Sequence, residues 1–487
     1  MDKRQKVLSN LIWRFMERCG AQVVSFVVSV VLARIIAPEY YGDIALVMVI
    51  TSILQVFVDS GMANALIQKK DTDDLDYSSV FYFNVAFCLL LYTLLFFSAP
   101  LLSRLYRNDA LVPIFRVLGL TIVVAGVKNV QQAYVAKTMQ FRRFFFSTLG
   151  GTLFSAAVGI FLARRGYGIW ALVFQQLLNV TVNTAILWLT VEWKPKLIFS
   201  FQRLRRLISF GWKLLASALL DTGYLKLYQL VVGLRYTPAD LAFYNKADQL
   251  PLLLVENINS SIDSVLLPVL SAEQDERQAV REMTRRAIKT STYIMMPMMA
   301  GLAACAEPLV RLLLTDKWLP CVPYLQVFCI VYAFYPLHTA NLNAIKAMGR
   351  SDIFLKLEIF KKIISTILLV VSMRISVYAI ALSQLVSCVT SQMINAWPNK
   401  RLLDYRYLQQ LRDMAPAILL ACAMAVCVRL VLLLGLSDWA TLLIQIPLGA
   451  AIYVAFSALF RVDSFLFLLS ILRRLRDNRR PGAQNES

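Results

Sequence analysis

Arg14, Arg18, Gln22, Ser25 and Ser29 follow one another at steps of four, four, three and four residues, the spacing that brings side chains onto one stripe of an α-helix. Glu17 stands beside that stripe. Further along, Lys213, Ser217, Asp221, Tyr224 and Tyr228 repeat the same steps, with Lys226 just off the line. Cations interleaved with amide, hydroxyl and phenol groups neutralise and orient charged or polar ligands.

Carboxylates form a second set. Asp59 follows Ser52 and Gln55, and Glu256, Asn259 and Asp263 share another helical face. Glu17, Asp59, Asp221, Glu256 and Asp263 are candidates for a proton or cation site, or for balancing the basic residues. Lys128 adds a cation whose partner the sequence does not name. For Arg14 and Lys213 the plainer reading is a place at the membrane interface, reaching to headgroups. For Asp263 it is a position near a helix end.

The elements that must position these residues are apolar. Of 487 residues, 58% are hydrophobic and 16% charged, more apolar surface than a soluble core needs. Fourteen apolar runs fill the chain, eight between residues 16 and 270 and six between 290 and 460, each near the length that crosses a bilayer. The expected fold is all-α and polytopic. Lys and Arg fall on one set of alternate loops, while the other set holds only Arg34, Arg104, Arg107, Arg164, Arg165, Arg235, Arg311, Lys317 and Arg374. The basic loops face the cytoplasm, so both termini are expected there. The start of the first run, with Arg14, Glu17 and Arg18, is too polar for a signal-peptide core and reads as retained.

An internal repeat organises the runs. Leu8 to Trp13 matches Leu207 to Trp212, Pro38 matches Pro238, Asp59 lies opposite Asn259, and Leu66-Ile67 opposite Leu266-Leu267. Two pseudo-symmetric six-helix lobes follow, 1–205 and 206–400, in parallel topology. Two helices over 401–462 and a basic tail over 463–487 complete the chain. Because charge at membrane depth is costly, the stripes are expected to face a wet cavity shared by the lobes.

Other functions are excluded in turn. The charge of +20 is dealt out between apolar runs, which argues against nucleic acid. Eight cysteines lie mostly within apolar runs without CxxC, and His338 is the only histidine, so no metal or cofactor is expected. No Walker loop, HExxH or GxSxG occurs, and the outward loops are short, which argues against an enzyme. Pro297, Pro336 and Pro447 interrupt apolar runs and favour bends. The cluster Arg473, Arg474, Arg476, Arg479 and Arg480 suits contact with anionic lipid.

Several dispersed stretches carry a resemblance: Ala65 to Asp71, Phe81-Tyr82-Phe83-Asn84, Ala99 to Tyr106, Gly166 to Leu172, and Leu309 to Leu314 running on to Lys317-Trp318. Over about residues 8 to 400 the chain resembles the Wzx-type polysaccharide-repeat flippases, in particular the WzxC-like lipopolysaccharide and colanic-acid exporters. These belong to the multidrug/oligosaccharidyl-lipid/polysaccharide (MOP) exporter superfamily, which implies a MATE-like frame in a bacterial inner membrane. The resemblance implies a substrate of undecaprenyl-diphosphate-linked oligosaccharide, moved to the periplasmic leaflet by alternating access, with other polysaccharide-assembly proteins as partners. Arg14, Arg18, Gln22, Ser25, Lys213, Ser217, Tyr224, Lys226 and Tyr228 would then meet diphosphate and sugar. Relatives often show an Asn-x-Asp-Asn-like run where this chain has Lys226-Leu227-Tyr228-Gln229.

Two rivals stand beside this reading. A drug or small-molecule cation antiporter of the same superfamily would want a more acidic, less basic cavity. A membrane glycosyltransferase or polymerase acting on lipid-linked sugars would want catalytic groups on a sizeable outward loop.

Overall fold

The computed structural model describes residues 3–59, 62–69 and 71–478, and every regular element among them is helical. Lys70, the Ser60-Gly61 pair and the tail beyond Asn478 lie outside that set. Two joints show how the sequence shapes the chain. α1 (Lys3–Ile35) gives way to α2 (Pro38–Asp59), and α8 (Phe201–Arg235) gives way to α9 (Pro238–Ala272). In both joints proline opens the new helix, where its missing N–H removes no helical bond.

The remaining helices of the first half are α3 (Met62–Gln68), α4 (Asp74–Leu105), α5 (Leu111–Lys137), α6 (Phe141–Arg164) and α7 (Ile169–Thr190). Those of the second half are α10 (Arg277–Ala304), α11 (Ala306–Leu314), α12 (Val322–Ala333), α13 (Tyr335–Ala347), α14 (Ser351–Ser372), α15 (Val377–Leu402), α16 (Tyr407–Leu430), α17 (Asp438–Leu459) and α18 (Asp463–Asn478). The chain forms two compact units, Met1–Ala242 and Phe243–Ser487. Here α8 packs on α2, α3 and α4. Small residues allow this approach. A Cβ on Gly42 would lie 1.7 Å from the Pro238 carbonyl oxygen, and one on Gly233 would lie 2.1 Å from Leu46.

Within the first unit α6 packs along both α7 and α1, and α4 along α5. Its aromatic core gathers Tyr77, Phe81, Tyr134 and Trp193. Charge ties this core to its surroundings. The side chain of Asp73 accepts the Asp76 N–H at 3.0 Å, while Asp76 accepts the Asp73 N–H at 3.3 Å, a reciprocal cap at the start of α4. Lys69 meets Asp76 at 2.5 Å, and Arg203 meets Asp73 at 2.5 Å and Asp76 at 3.5 Å. The Asp76 N–H, followed by Arg203, lowers the Asp73 carboxyl to about 2.

The second unit reverses the signs. There α10 begins with the bases: Arg285 grips Asp413 through two bonds of 2.6 and 2.7 Å, and Arg281 lies 3.7 Å from Asp404. Lys289 reaches Asp413 at 3.7 Å and Asp463 at 3.1 Å. α10 also packs on α12, α13 and α16, while α14 packs on α15.

Among the described residues ten helical stretches are long and apolar enough to cross a membrane, and the bent pair α10 and α11 makes an eleventh if it counts as one span. That pair bends by 67° at Cys305; Pro297 lies inside a continuous α10, so the bend expected there occurs eight residues later by sequence number. Pro336 does mark a break, standing at the start of α13, while Pro447 lies within α17. Three of the fourteen expected runs, those in α1, α8 and α14, are not among these stretches, and in α1 the described apolar stretch is the shorter Cys19–Ile35. All three carry charged residues within the apolar run.

Candidate functional site

α1 and α6 build the first wall. The Trp13 ring packs on Phe145 and Phe146 at 5.4 and 6.1 Å, with the Arg142 guanidinium 5.6 Å above it. One turn on, Thr148 donates to Glu17 at 3.3 Å, and Gly20 faces Phe145. Trp13, Glu17 and Gly20 thus spend one helical face on α6. At about 100° per residue Ser25 lies roughly a third of a turn away and Gln22 nearly half a turn. There Ser25 is exposed and Gln22 half-buried. The side chains of Arg14, Arg18 and Lys213 lie outside the described residues.

α8 supplies the second stripe. Ser217 and Asp221 are exposed, and Tyr224 and Tyr228 half-buried. Lys226, off the line, donates to Gln229 at 3.1 Å on its own helix.

The carboxylates on α2 and α9 have cross-helix amides. Asp59 accepts from Gln55 at 3.1 Å and from the buried Asn129 of α5 at 3.4 Å, with Lys128 as its electrostatic partner. Sequence reasoning left Lys128 unpaired; the turn of α5 beside α2 supplies the answer. On α9, Asn259 accepts from Thr339 and Asp263 from Asn343, both at 2.8 Å. Glu256 is exposed and acts electrostatically on Tyr335. Asp59, Lys128 and Asn129 therefore come together in one unit, and Asn259, Asp263, Thr339 and Asn343 in the other.

These partners were readable in principle. Lys137 and Met139 align with Lys346 and Met348, which lays the α5 segment holding Asn129 over the α13 segment holding His338, Thr339 and Asn343. The unit that bonds α2 to α5 is thus repeated between α9 and α13.

A further cluster in the second unit was missed. Tyr332 donates to Asp248 at 2.6 Å and its ring meets Tyr335 at 4.9 Å. The two ring nitrogens of His338 face Asn395 at 3.1 Å and Cys388 at 3.5 Å, a packing role. α14 contributes Lys361, paired with Glu358 at 2.5 Å and acting electrostatically on His338. Among the described residues no three His, Cys, Asp or Glu side chains converge as a metal site. The arrangement offers hydrogen-bond donors, acceptors and charges along helices. It can bind and exchange a polar or ionic ligand.

Comparison with known proteins places this frame. Residues 31–323 match the model of the family described as polysaccharide biosynthesis protein. The chain is similar to the succinoglycan biosynthesis transport protein ExoT of Rhizobium meliloti, 23% identical over 74% of this chain and 73% of that one. It is similar to the lipopolysaccharide biosynthesis protein WzxC of Escherichia coli, 24% identical over 74% of each. In fold it resembles the lipid II flippase MurJ in an inward closed conformation, with a TM-score of 0.73 at 17% identity, covering 92% of this chain and 98% of that one. An inward-facing MATE transporter of the MOP superfamily gives 0.57 at 12% identity, over 82% and 95%. The expected multi-helical frame is what the two solved structures share with this chain.

Proposed function

The chain belongs to the polysaccharide biosynthesis protein family, and from that premise we propose that it is a flippase for lipid-linked oligosaccharide. It carries an undecaprenyl-diphosphate-linked repeat unit from the cytoplasmic to the periplasmic leaflet of a bacterial inner membrane by alternating access. It is a transporter and performs no covalent chemistry. The observation that carries the reading is the concentration of charge in α1, α8 and α14 within an otherwise apolar helical frame, since ionisable residues at membrane depth mark transport paths.

On this reading Arg14, Arg18, Lys213 and Lys226 neutralise diphosphate, while Gln22, Ser25, Ser217, Tyr224 and Tyr228 contact sugar. Glu17, Asp59, Asp221, Glu256 and Asp263 balance that charge or exchange the coupling ion. Fourteen spans in two six-helix lobes with both termini cytoplasmic are part of the proposal, as are other assembly proteins as partners. The fourteen-span count takes in α1, α8 and α14, whose apolar runs carry charged residues.

The test is depletion in the native cell, followed by asking on which leaflet the lipid-linked oligosaccharide accumulates. Accumulation on the cytoplasmic leaflet is expected, and unchanged periplasmic delivery would sink the proposal. A drug antiporter would instead change the sensitivity to cationic compounds and leave the glycolipid where it was.

A further inference from the structure

The two units treat their amide-bonded carboxylates differently. In the first, Lys128 supplies a positive charge to Asp59. In the register that aligns Lys137 with Lys346, Lys128 falls on Leu337, which is fully buried. Among the described residues no Lys or Arg side chain pairs with Asp263, whose side-chain partner is the Asn343 amide. A carboxylate in a membrane helix is costly without a countercharge, and the second unit provides no ammonium for this one.

What it provides is oxygen. Asn259 and Asp263 stand four residues apart on α9 and face Thr339 and Asn343, also four apart on α13, each pair bonded at 2.8 Å. That spacing keeps both rungs on one face of each helix, about 6 Å from one another along the axis. The Thr339 hydroxyl donates to the Asn259 oxygen, and each of these two oxygens retains a lone pair. Asn343 is 1% exposed. Its carboxamide nitrogen is spent on Asp263, while no donor among the described residues reaches the oxygen of the same group. A buried acceptor of that kind beside a carboxylate is satisfied by an ion.

The chemistry of the set narrows the ion. Carboxylate, amide and hydroxyl oxygens are hard ligands that suit alkali and alkaline-earth cations. One carboxylate balances one positive charge, whereas a divalent ion would leave net charge in a membrane helix. A proton would use the carboxylate alone and leave the Asn343 oxygen as it is. Asp263 is exposed, which gives an ion a way in, and Glu256, exposed one turn before Asn259, adds negative potential at the approach.

We propose that Asn259, Asp263, Thr339 and Asn343 bind an alkali cation, sodium or potassium, within the second unit. The ion does for Asp263 what the Lys128 ammonium does for Asp59. Its role as the coupling ion rests on the flippase reading and deepens it, by giving that ion a chemical class and a set of ligands.

The test uses the full chain in nanodiscs at constant ionic strength, choline replacing the alkali ions, with radiolabelled sodium, and rubidium standing in for potassium, as probes. Saturable binding of one of the two is expected, unaffected by choline. Asp263→Asn should weaken it roughly tenfold or more, and Thr339→Val, which removes one oxygen at little change of shape, roughly threefold. The second variant decides the matter if the first does not fold. Glu282→Gln, a carboxylate of the same unit bonded to Gln278, should bind as wild type does. Absence of saturable binding, binding that either site variant leaves intact, or a response to pH and to neither ion would each overturn the proposal. If depletion arrests periplasmic delivery and no alkali ion binds, this site alone has failed. If delivery continues after depletion while Asp263→Asn still loses the ion, the flippase reading has failed and the cation site stands.

Discussion

Asn343 on α13 donates its amide to Asp263 on α9 at 2.8 Å, as Asn129 on α5 does to Asp59 on α2 at 3.4 Å. An amide across from a carboxylate holds that carboxylate's position without neutralising it. The charge of Asp59 is matched by Lys128, and this gives a way to separate balance from exchange.

Asp59→Asn is expected to lower glycolipid delivery at least tenfold while membrane abundance stays within twofold. If Asp59 merely balances charge, Lys128→Gln added to it restores delivery. Failure of the double variant to recover assigns Asp59 to ion exchange. Complementation of a depletion strain measures both.

The cap at Asp73 predicts a local stability effect. Asp73→Ala removes the side-chain bond to the Asp76 N–H and should cost about 1 kcal/mol, whereas Asp73→Asn, which still caps, should cost a few tenths. Because the folded carboxyl is depressed to about 2, below its ordinary value near 3.8, its contribution is fully present above pH 4 and lost only as pH falls toward 2. Thermal unfolding followed through Trp193, whose indole donates to Asp74 at 3.2 Å, should show the Ala-against-wild-type difference unchanged from pH 5 to 8.

Asp413 is the hub of the second unit's charged end. It accepts both bonds from Arg285 and the Tyr405 hydroxyl at 2.8 Å, and its side chain is 6% exposed. Asp413→Ala leaves these donors unmatched and should destabilise by about 2 kcal/mol. Arg285→Lys keeps the charge and loses the two-point grip, so it should fall between that variant and wild type. Detergent melting temperatures rank the three.

Gly42 sets the distance between α2 and the opening of α9. The methyl of Gly42→Ala meets a backbone carbonyl oxygen, which no rotamer change can relieve, so helices must part at a cost of about 1–3 kcal/mol. Gly223, whose Cβ would meet nothing within 4 Å, serves as control and should tolerate alanine. The accessibility of a cysteine introduced as Thr237→Cys, at the joint before Pro238, should rise only in Gly42→Ala.

The sequence made the joints and stripes legible because both rest on local spacing. Pro38 and Pro238 open helices wherever the chain is placed, and the steps from Arg14 to Ser29 are visible without a neighbour. The partners of Asp59 and Asp263 were legible only through the repeat and not from local spacing, since Asn129 and Asn343 are ordinary amides until packing turns them toward a carboxylate. α14 was read through as one apolar run over 356–373, because its lysines split between an inner and an outer face only once the buried side is known. The break at Cys305 escaped for a related reason. Proline is the visible cause of a bend, yet α10 continues past Pro297 and ends at the break beside Cys305.

The opposed signs at the starts of α4 and α10 bear on the order in which the protein is made. The acidic start of α4 has its bases once Arg203 has been synthesised, so the first unit can lock while the second is still unborn. The basic start of α10 waits for Asp404, Asp413 and finally Asp463. Until nearly the last helix leaves the ribosome, those arginines and lysines have only lipid headgroups to hold them, and the membrane itself serves as their temporary partner.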